Sequence, residues 1–224
     1  MKPLLALAII LIGLTTAFAQ NEQAPLQEKD IKYKDWTYKS VRDDKDVNLR
    51  DFAKKKKLVL VVYFAPWCPN WKHEAPFAQT LYEKYRANGF DVIGVGEYDT
   101  VAAMKINLDD KKITFPVVYE SNSSDAKQKT LHYEYRKAAG DARGWGSPWN
   151  IFLEPKKLAK KGDVLTEKTF IVNGELIEAE VEKFVREKLG LPAETVKAAS
   201  SAKTVEACEP ETKTTIFKQP APRD

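Results

Sequence analysis

The chain has 224 residues, of which 43% are hydrophobic and 30% charged, with 36 Lys and Arg against 32 Asp and Glu. That length suits one domain with appendages, and so small a basic excess, mixed in sign along the chain, argues against nucleic acid as the main partner. Two cysteines and two histidines exclude a disulfide-built scaffold and a His-rich metal centre.

Residues 1–19 carry the three parts of an export signal. Lys2 supplies the positive start, Leu4 to Leu14 an apolar run of about 11 residues, and Ala17-Phe18-Ala19 a small-x-small cleavage site. The run is too short for a comfortable bilayer span, and no later stretch approaches the roughly 18–20 residues required. The expectation is an exported protein, periplasmic or extracellular, with no integral membrane segment after cleavage. Such a compartment tolerates disulfides.

Residues 20–30 are polar and aperiodic and are expected to form a linker. Lys32 to Tyr38 suggests a short edge strand or hairpin anchored by Tyr33 and Trp36. Lys54 to Lys57 is a run of four cations, expected to be a solvated turn. The β-branched and aromatic run Leu58 to Phe64 predicts a strand buried on both faces. A helix follows over about 71–88, with Trp71, Ala75, Ala78, Tyr82 and Tyr85 on one buried stripe and Gly89 as its stop.

Further strands are expected over 90–95, 115–119, 149–153 and 169–172. Thr100 is placed to cap a helix running to about Asp110, and a second helix is expected over 125–139, ended by Gly140. Asn173-Gly174 reads as a turn, after which Ile177, Val181, Phe184, Val185 and Leu189 line a terminal helix. Strands alternating with helices predict an α/β domain over 31–191, with a central mixed sheet covered on both faces. Residues 192–224 hold few large apolar groups and are expected to be a flexible tail.

The chemistry concentrates in Phe64-Ala65-Pro66-Trp67-Cys68-Pro69-Asn70-Trp71. It places Cys68 where a buried strand gives way to a helix N-terminus, whose free amides and dipole favour the nucleophilic thiolate. Cys68 is therefore the expected catalytic residue, flanked by Trp67 and Pro69. The histidines offer no ligand spacing, so neither a metal nor another cofactor is expected. His73 is expected to face solvent.

The stretch from Val47 to Leu189 resembles thioredoxin-fold proteins of the extracytoplasmic TlpA/ResA type. Val47 to Phe52 is similar to the lead-in of that family, Trp67-Cys68 to the start of its Trp-Cys-x-x-Cys turn, and Pro76 to the proline eight residues after the first Cys. The resemblance implies that Pro148 is the family's cis-proline and that the Ser147-Pro148 loop meets the substrate backbone. The expected partners are protein or small-molecule disulfides and thiols. Two departures matter: the family's second cysteine is Trp71 here, and the buried acid that thioredoxin carries six residues before its first Cys is Val62. A Cys-x-x-Cys cycle is thereby excluded.

Cys208 is the expected substitute as a resolving thiol, since the 19 steps from Leu189 reach far at about 3.1 Å each. Trp67, Pro69, Trp71, Ser147 and Pro148 are the expected substrate contacts. Trp67, Trp145 and Trp149 suit either an apolar groove or the core. The leading expectation is a single-cysteine thiol–disulfide oxidoreductase, and the second a binding module on the same fold without turnover. A peroxiredoxin-like peroxidase fits less well, because Ala65 stands where that family carries Thr or Ser three residues before its reactive Cys.

Overall fold

A computed structural model describes residues 22–192 of the chain. The expected signal over 1–19, residues 20–21, and 193–224, which hold Cys208 and nearly all of the expected tail, lie outside the described residues.

In chain order, β1 (Gln23–Ala24), β2 (Gln27–Lys34), β3 (Thr37–Ser40) and β4 (Asp46–Asn48) precede α1 (Leu49–Ala53). Then come β5 (Leu58–Phe64), α2 (Pro69–Tyr85), β6 (Phe90–Gly96), α3 (Val101–Asp110), β7 (Val117–Tyr119) and α4 (Leu131–Ala139). The described chain ends with β8 (Trp149–Leu153), β9 (Val164–Val172), β10 (Glu175–Leu176) and α5 (Glu178–Leu189). Eight strands form one mixed sheet in the order β2-β9-β8-β5-β6-β7-β3-β4, and β1 and β10 pair separately.

Centrally, β5 runs parallel to β6 and antiparallel to β8, and every one of its residues is buried. Its alternation divides the core in two. Leu58, Leu60, Val62 and Phe64 pack with α2, α3 and α5, whereas Val59, Val61 and Tyr63 pack with α1 and α4. The expected α/β architecture, a mixed sheet covered on both faces, is what forms.

Residues 23–30 are not a linker. β1 pairs with β10, and β2 pairs with β9 from Gln27 to Lys34. The outward side chains of β2 are polar because it is the sheet's edge, which disguises the strand in sequence. Tyr33 and Trp36 are buried, and Trp36 Nε1–H donates to the Tyr33 hydroxyl at 3.2 Å.

Other boundaries move for local reasons. α2 begins at Pro69, whose missing N–H costs nothing at a first helical position. It passes into a 3₁₀ turn over Arg86–Asn88, closed by Gly89 at φ +95°. α4 begins only at Leu131, where the Thr130 hydroxyl accepts from Tyr133 N–H, while Ser124–Ala126 forms a separate turn. Thr100 caps α3 as expected, accepting from Ala103 N–H at 3.1 Å.

Candidate active site

The site lies where β5 ends. Cys68 is the N-cap residue of α2, and its Sγ does not bond the helix's free amides. It turns instead to the loop before β8 and donates to the Ser147 carbonyl at 3.0 Å. The expectation that helix amides hold the sulfur directly is corrected in that respect: as a thiol it donates to a carbonyl and does not accept from amides. The residue is buried, 6% exposed, and belongs to the core cluster on the α2 side of the sheet.

Ser147 works from both ends. Its carbonyl accepts from Cys68, and its hydroxyl accepts from Ala65 N–H at 2.8 Å, tying the loop to the last residues before the turn. The Ser147–Pro148 peptide is cis, as the resemblance implies. Cys68, Ser147 and Pro148 are thus brought together, with Pro69 exposed at the first position of α2.

A charged network that sequence reasoning missed shapes this loop. The buried Arg136 of α4 donates to the Trp145 carbonyl at 2.9 Å, to Asp141 at 3.1 Å and to the Arg143 carbonyl. Arg143 in turn donates to Asp141 Oδ2 at 2.7 Å and to the Pro148 carbonyl at 3.0 Å. Burial alone would raise the Asp141 carboxyl, but hydrogen bonds from Arg143 and the two guanidinium charges hold it below its ordinary value. Gly146, at φ +59°, passes so close to the Arg136 guanidinium that a Cβ would collide with it. Nothing in the spacing of these residues signals the network, which exists only through tertiary contact.

Trp71, expected to widen the substrate surface, does not reach it. Its indole is fully buried, stacks on Phe64 at 4.3 Å between ring centroids, and donates Nε1–H to Asn107 Oδ1 at 2.9 Å. Asn107 Nδ2 donates onward to the Pro66 carbonyl at 3.1 Å. The ring that occupies the second-cysteine position therefore braces the turn from beneath, because its place on the buried stripe of α2 points it inward. Val62, the counterpart of thioredoxin's acid, is likewise buried.

The three tryptophans part company. Trp149 is core, whereas Trp67, 42% exposed, meets Trp145 edge-on at 5.2 Å, with Tyr98 behind at 5.3 Å. On the other side of Trp67 opens a cleft of about 390 Å³, lined by Pro66, Lys72, Ala103 and the exposed Ile106. Asp99, Asn107 and Asp110 complete its lining, so the cleft is mixed in character.

The two histidines sit in different surroundings. His73 is half exposed, with Nδ1 3.8 Å from Glu175. His132 is fully buried, stacked on Tyr63 and paired with the Tyr98 hydroxyl at 3.0 Å. Burial, then the nearby Arg136 and Arg143 charges, hold it well below its ordinary pKa and so neutral. Among the described residues no group of three or more His, Cys, Asp or Glu is arranged to hold a metal ion, and no helix is long and apolar enough to cross a membrane.

Six residues after Cys68, buried Glu74 accepts from Asn150 Nδ2 at 3.0 Å and Leu176 N–H at 2.9 Å. Burial pushes its carboxyl up to about 8 despite those two donors. Its position three residues after Trp71, on the inward face of α2, was the available sign.

A thiol at the first turn of a helix, apposed to a cis-proline loop at the end of a central parallel strand, defines a thioredoxin-fold redox-type site. The chain belongs to the AhpC/TSA family, whose profile matches residues 29–173. Over 80 residues it is 31% identical to the thiol-disulfide oxidoreductase ResA of Oceanobacillus iheyensis, a match covering 36% of this chain and 41% of that protein. The chain thus spans about two fifths of that relative's length. A thioredoxin family thiol:disulfide interchange protein from Chlorobium tepidum TLS superposes with a TM-score of 0.51 at 20% identity, covering 72% of this chain and 98% of the other. A second structure from Chlorobium tepidum, described as a putative thiol:disulfide interchange protein DsbE, gives 0.50 at 19% identity over 74% of this chain and all of its own. Likeness at these identities is one of fold.

Proposed function

We propose that the protein is an exported, periplasmic or extracellular thiol–disulfide oxidoreductase acting through a mixed disulfide at Cys68. The observation that carries this reading is the 3.0 Å contact of Cys68 Sγ with the Ser147 carbonyl beside a cis proline. Family membership and the ResA and interchange-protein relatives support the same chemistry. The export signal in residues 1–19 supports the location.

In the proposed step, deprotonated Cys68 attacks one sulfur of a substrate disulfide. A new S–S bond joins Cys68 to the substrate, and the other substrate sulfur leaves as a thiolate that takes up a proton. No electrons are lost from the pair of partners, since one disulfide is exchanged for another. A second thiol, from Cys208 or from an external donor, then attacks the mixed disulfide and frees Cys68. Trp67, Pro69 and the Ser147-Pro148 loop form the substrate contacts, and Trp71 supports them from below.

A second reading, a binding module that captures without turnover, is favoured by one observation. A buried indole occupies the second-thiol position, and Cys68 is the one cysteine among the described residues. Turnover of a model disulfide by wild type and its loss in Cys68→Ser establishes the enzyme. Stoichiometric capture without turnover, in the presence of external thiol, establishes the module. Peptide mapping under non-reducing conditions tests the Cys68–Cys208 bond, and free thiols at both positions in exported protein would remove Cys208 from the scheme.

A further inference from the structure

The Lys54–Lys57 run forms a largely exposed turn between α1 and β5. It precedes β5, whereas Cys68 follows it, so the two lie about 20 Å apart at opposite ends of a seven-residue strand. The antiparallel β8 ends on the same side as the run, Leu153 standing beside Val59, and delivers the lysine-rich loop 155–161 there. Between the two loops is a cleft of about 460 Å³ with Ala53, Pro155, Leu158 and Ala159 among its lining.

Its walls are fixed internally. Each nitrogen of the Arg50 guanidinium already has a partner: Nη1 Asp35 at 2.6 Å, Nε the Ala159 carbonyl at 3.2 Å, and Nη2 the Gly162 carbonyl at 2.5 Å. Lys56 is pinned to the largely buried Asp91. In contrast, Lys55, Lys156 and Lys160 line the cleft, are exposed, and make no side-chain hydrogen bond or ion pair among the described residues. Lys55 is moreover held at φ +65°, a conformation that a non-glycine residue adopts at some cost.

We infer that this cleft is a binding site for a phosphate-bearing anion, at the pole of the domain opposite Cys68. Three lysines with no side-chain partner among the described residues line one concavity, and like charges gathered around apolar walls attract a multivalent anion. Phosphate suits them better than carboxylate. Planar carboxylates are best held by a guanidinium fork, and the only fork here is already occupied, whereas lysines bind tetrahedral phosphate as point charges. The chemistry is shared by soluble phosphomonoesters and by anionic phospholipid headgroups.

The test titrates the full folded chain in two arms at low and high salt. One arm uses glycerol phosphate with citrate as the carboxylate comparator. The other uses phosphatidylglycerol-containing vesicles against pure phosphatidylcholine vesicles. Binding in either arm, weakened by salt and reduced about 100-fold in K55Q/K156Q/K160Q, supports the site. That figure takes each lysine at about fivefold. Binding confined to glycerol phosphate assigns a free ligand, and binding confined to the anionic vesicles assigns a headgroup. Cys68→Ser should bind as wild type does, so failure here and failure of the redox reading are separable. Should the triple variant not fold, K156Q/K160Q, which leaves Lys55 in place, carries the same comparison with a reduction of about 25-fold. No binding in either arm, citrate binding as tightly as glycerol phosphate, or undiminished binding by the variants would overturn the site.

Discussion

Replacing Trp71 by Phe tests whether the indole in the second-cysteine position is a brace. The ring is fully buried, and its Nε1–H meets Asn107 Oδ1, itself in a residue only 9% exposed. Phe keeps the stack on Phe64 but strands that oxygen, at a cost of about 1–3 kcal/mol. The smaller ring also leaves a void, worth about 1–2 kcal/mol more. The sum, about 3 kcal/mol, should lower the melting temperature by roughly 6–12 °C for a domain of this size. Denaturant unfolding of Trp71→Phe, Asn107→Ala and the double variant gives the coupling energy, expected at about 0.5–1.5 kcal/mol. A cost below about 0.5 kcal/mol for Trp71→Phe, or strict additivity of the two changes, would refute the brace.

Glu74 should make stability depend on pH. Its folded value of about 8 exceeds the ordinary 4.5, so the folded state holds the proton more tightly. The stabilisation is fully present below about 4.5 and is lost as pH rises through 8, amounting to at most about 5 kcal/mol. Glu74→Gln should flatten most of that slope in melting temperatures from pH 5 to 8. A residual slope is expected from Glu175, which burial raises in the same direction. Gly146→Ala adds a Cβ against the Arg136 guanidinium at positive φ, and should cost more than about 2 kcal/mol and slow disulfide capture by Cys68. Normal stability and capture would refute the close approach. Ser147→Ala strands the buried Ala65 N–H at about 1–3 kcal/mol yet keeps the backbone carbonyl that faces Cys68, so capture should persist. Abolished capture in a folded variant would show that the hydroxyl has a direct role.

The central strands β5, β6 and β8 were legible in sequence, because each is buried along its whole length and mostly apolar, Asp91 and Asn150 being the polar exceptions in β6 and β8. The edge was not. β2 alternates exposed and buried residues, and β9 interposes Thr166, Glu167 and Lys168 before its apolar end, so each resembles loop where it faces water. At the site, Cys68, Ser147 and Pro148 followed from motif and resemblance. Trp71 carried two incompatible expectations, buried stripe and substrate contact, and helix periodicity decided between them. Asn107, Arg136, Asp141 and Arg143 were invisible because what they do depends on which loops the fold brings beside them.

The pairing of β2 with β9 sets Gln27 opposite Ile171, nearly the full length of the domain apart in sequence. During synthesis the leading strand has nothing to zip against until almost everything behind it has emerged. The interior strands β5, β6 and β8 have no such wait, so the seam between the two termini is expected to close last, since distant pairings are slow to form. Stop codons ahead of residue 164 would therefore unfasten two strands at once, leaving the flank of β8 open to sticking with its neighbours.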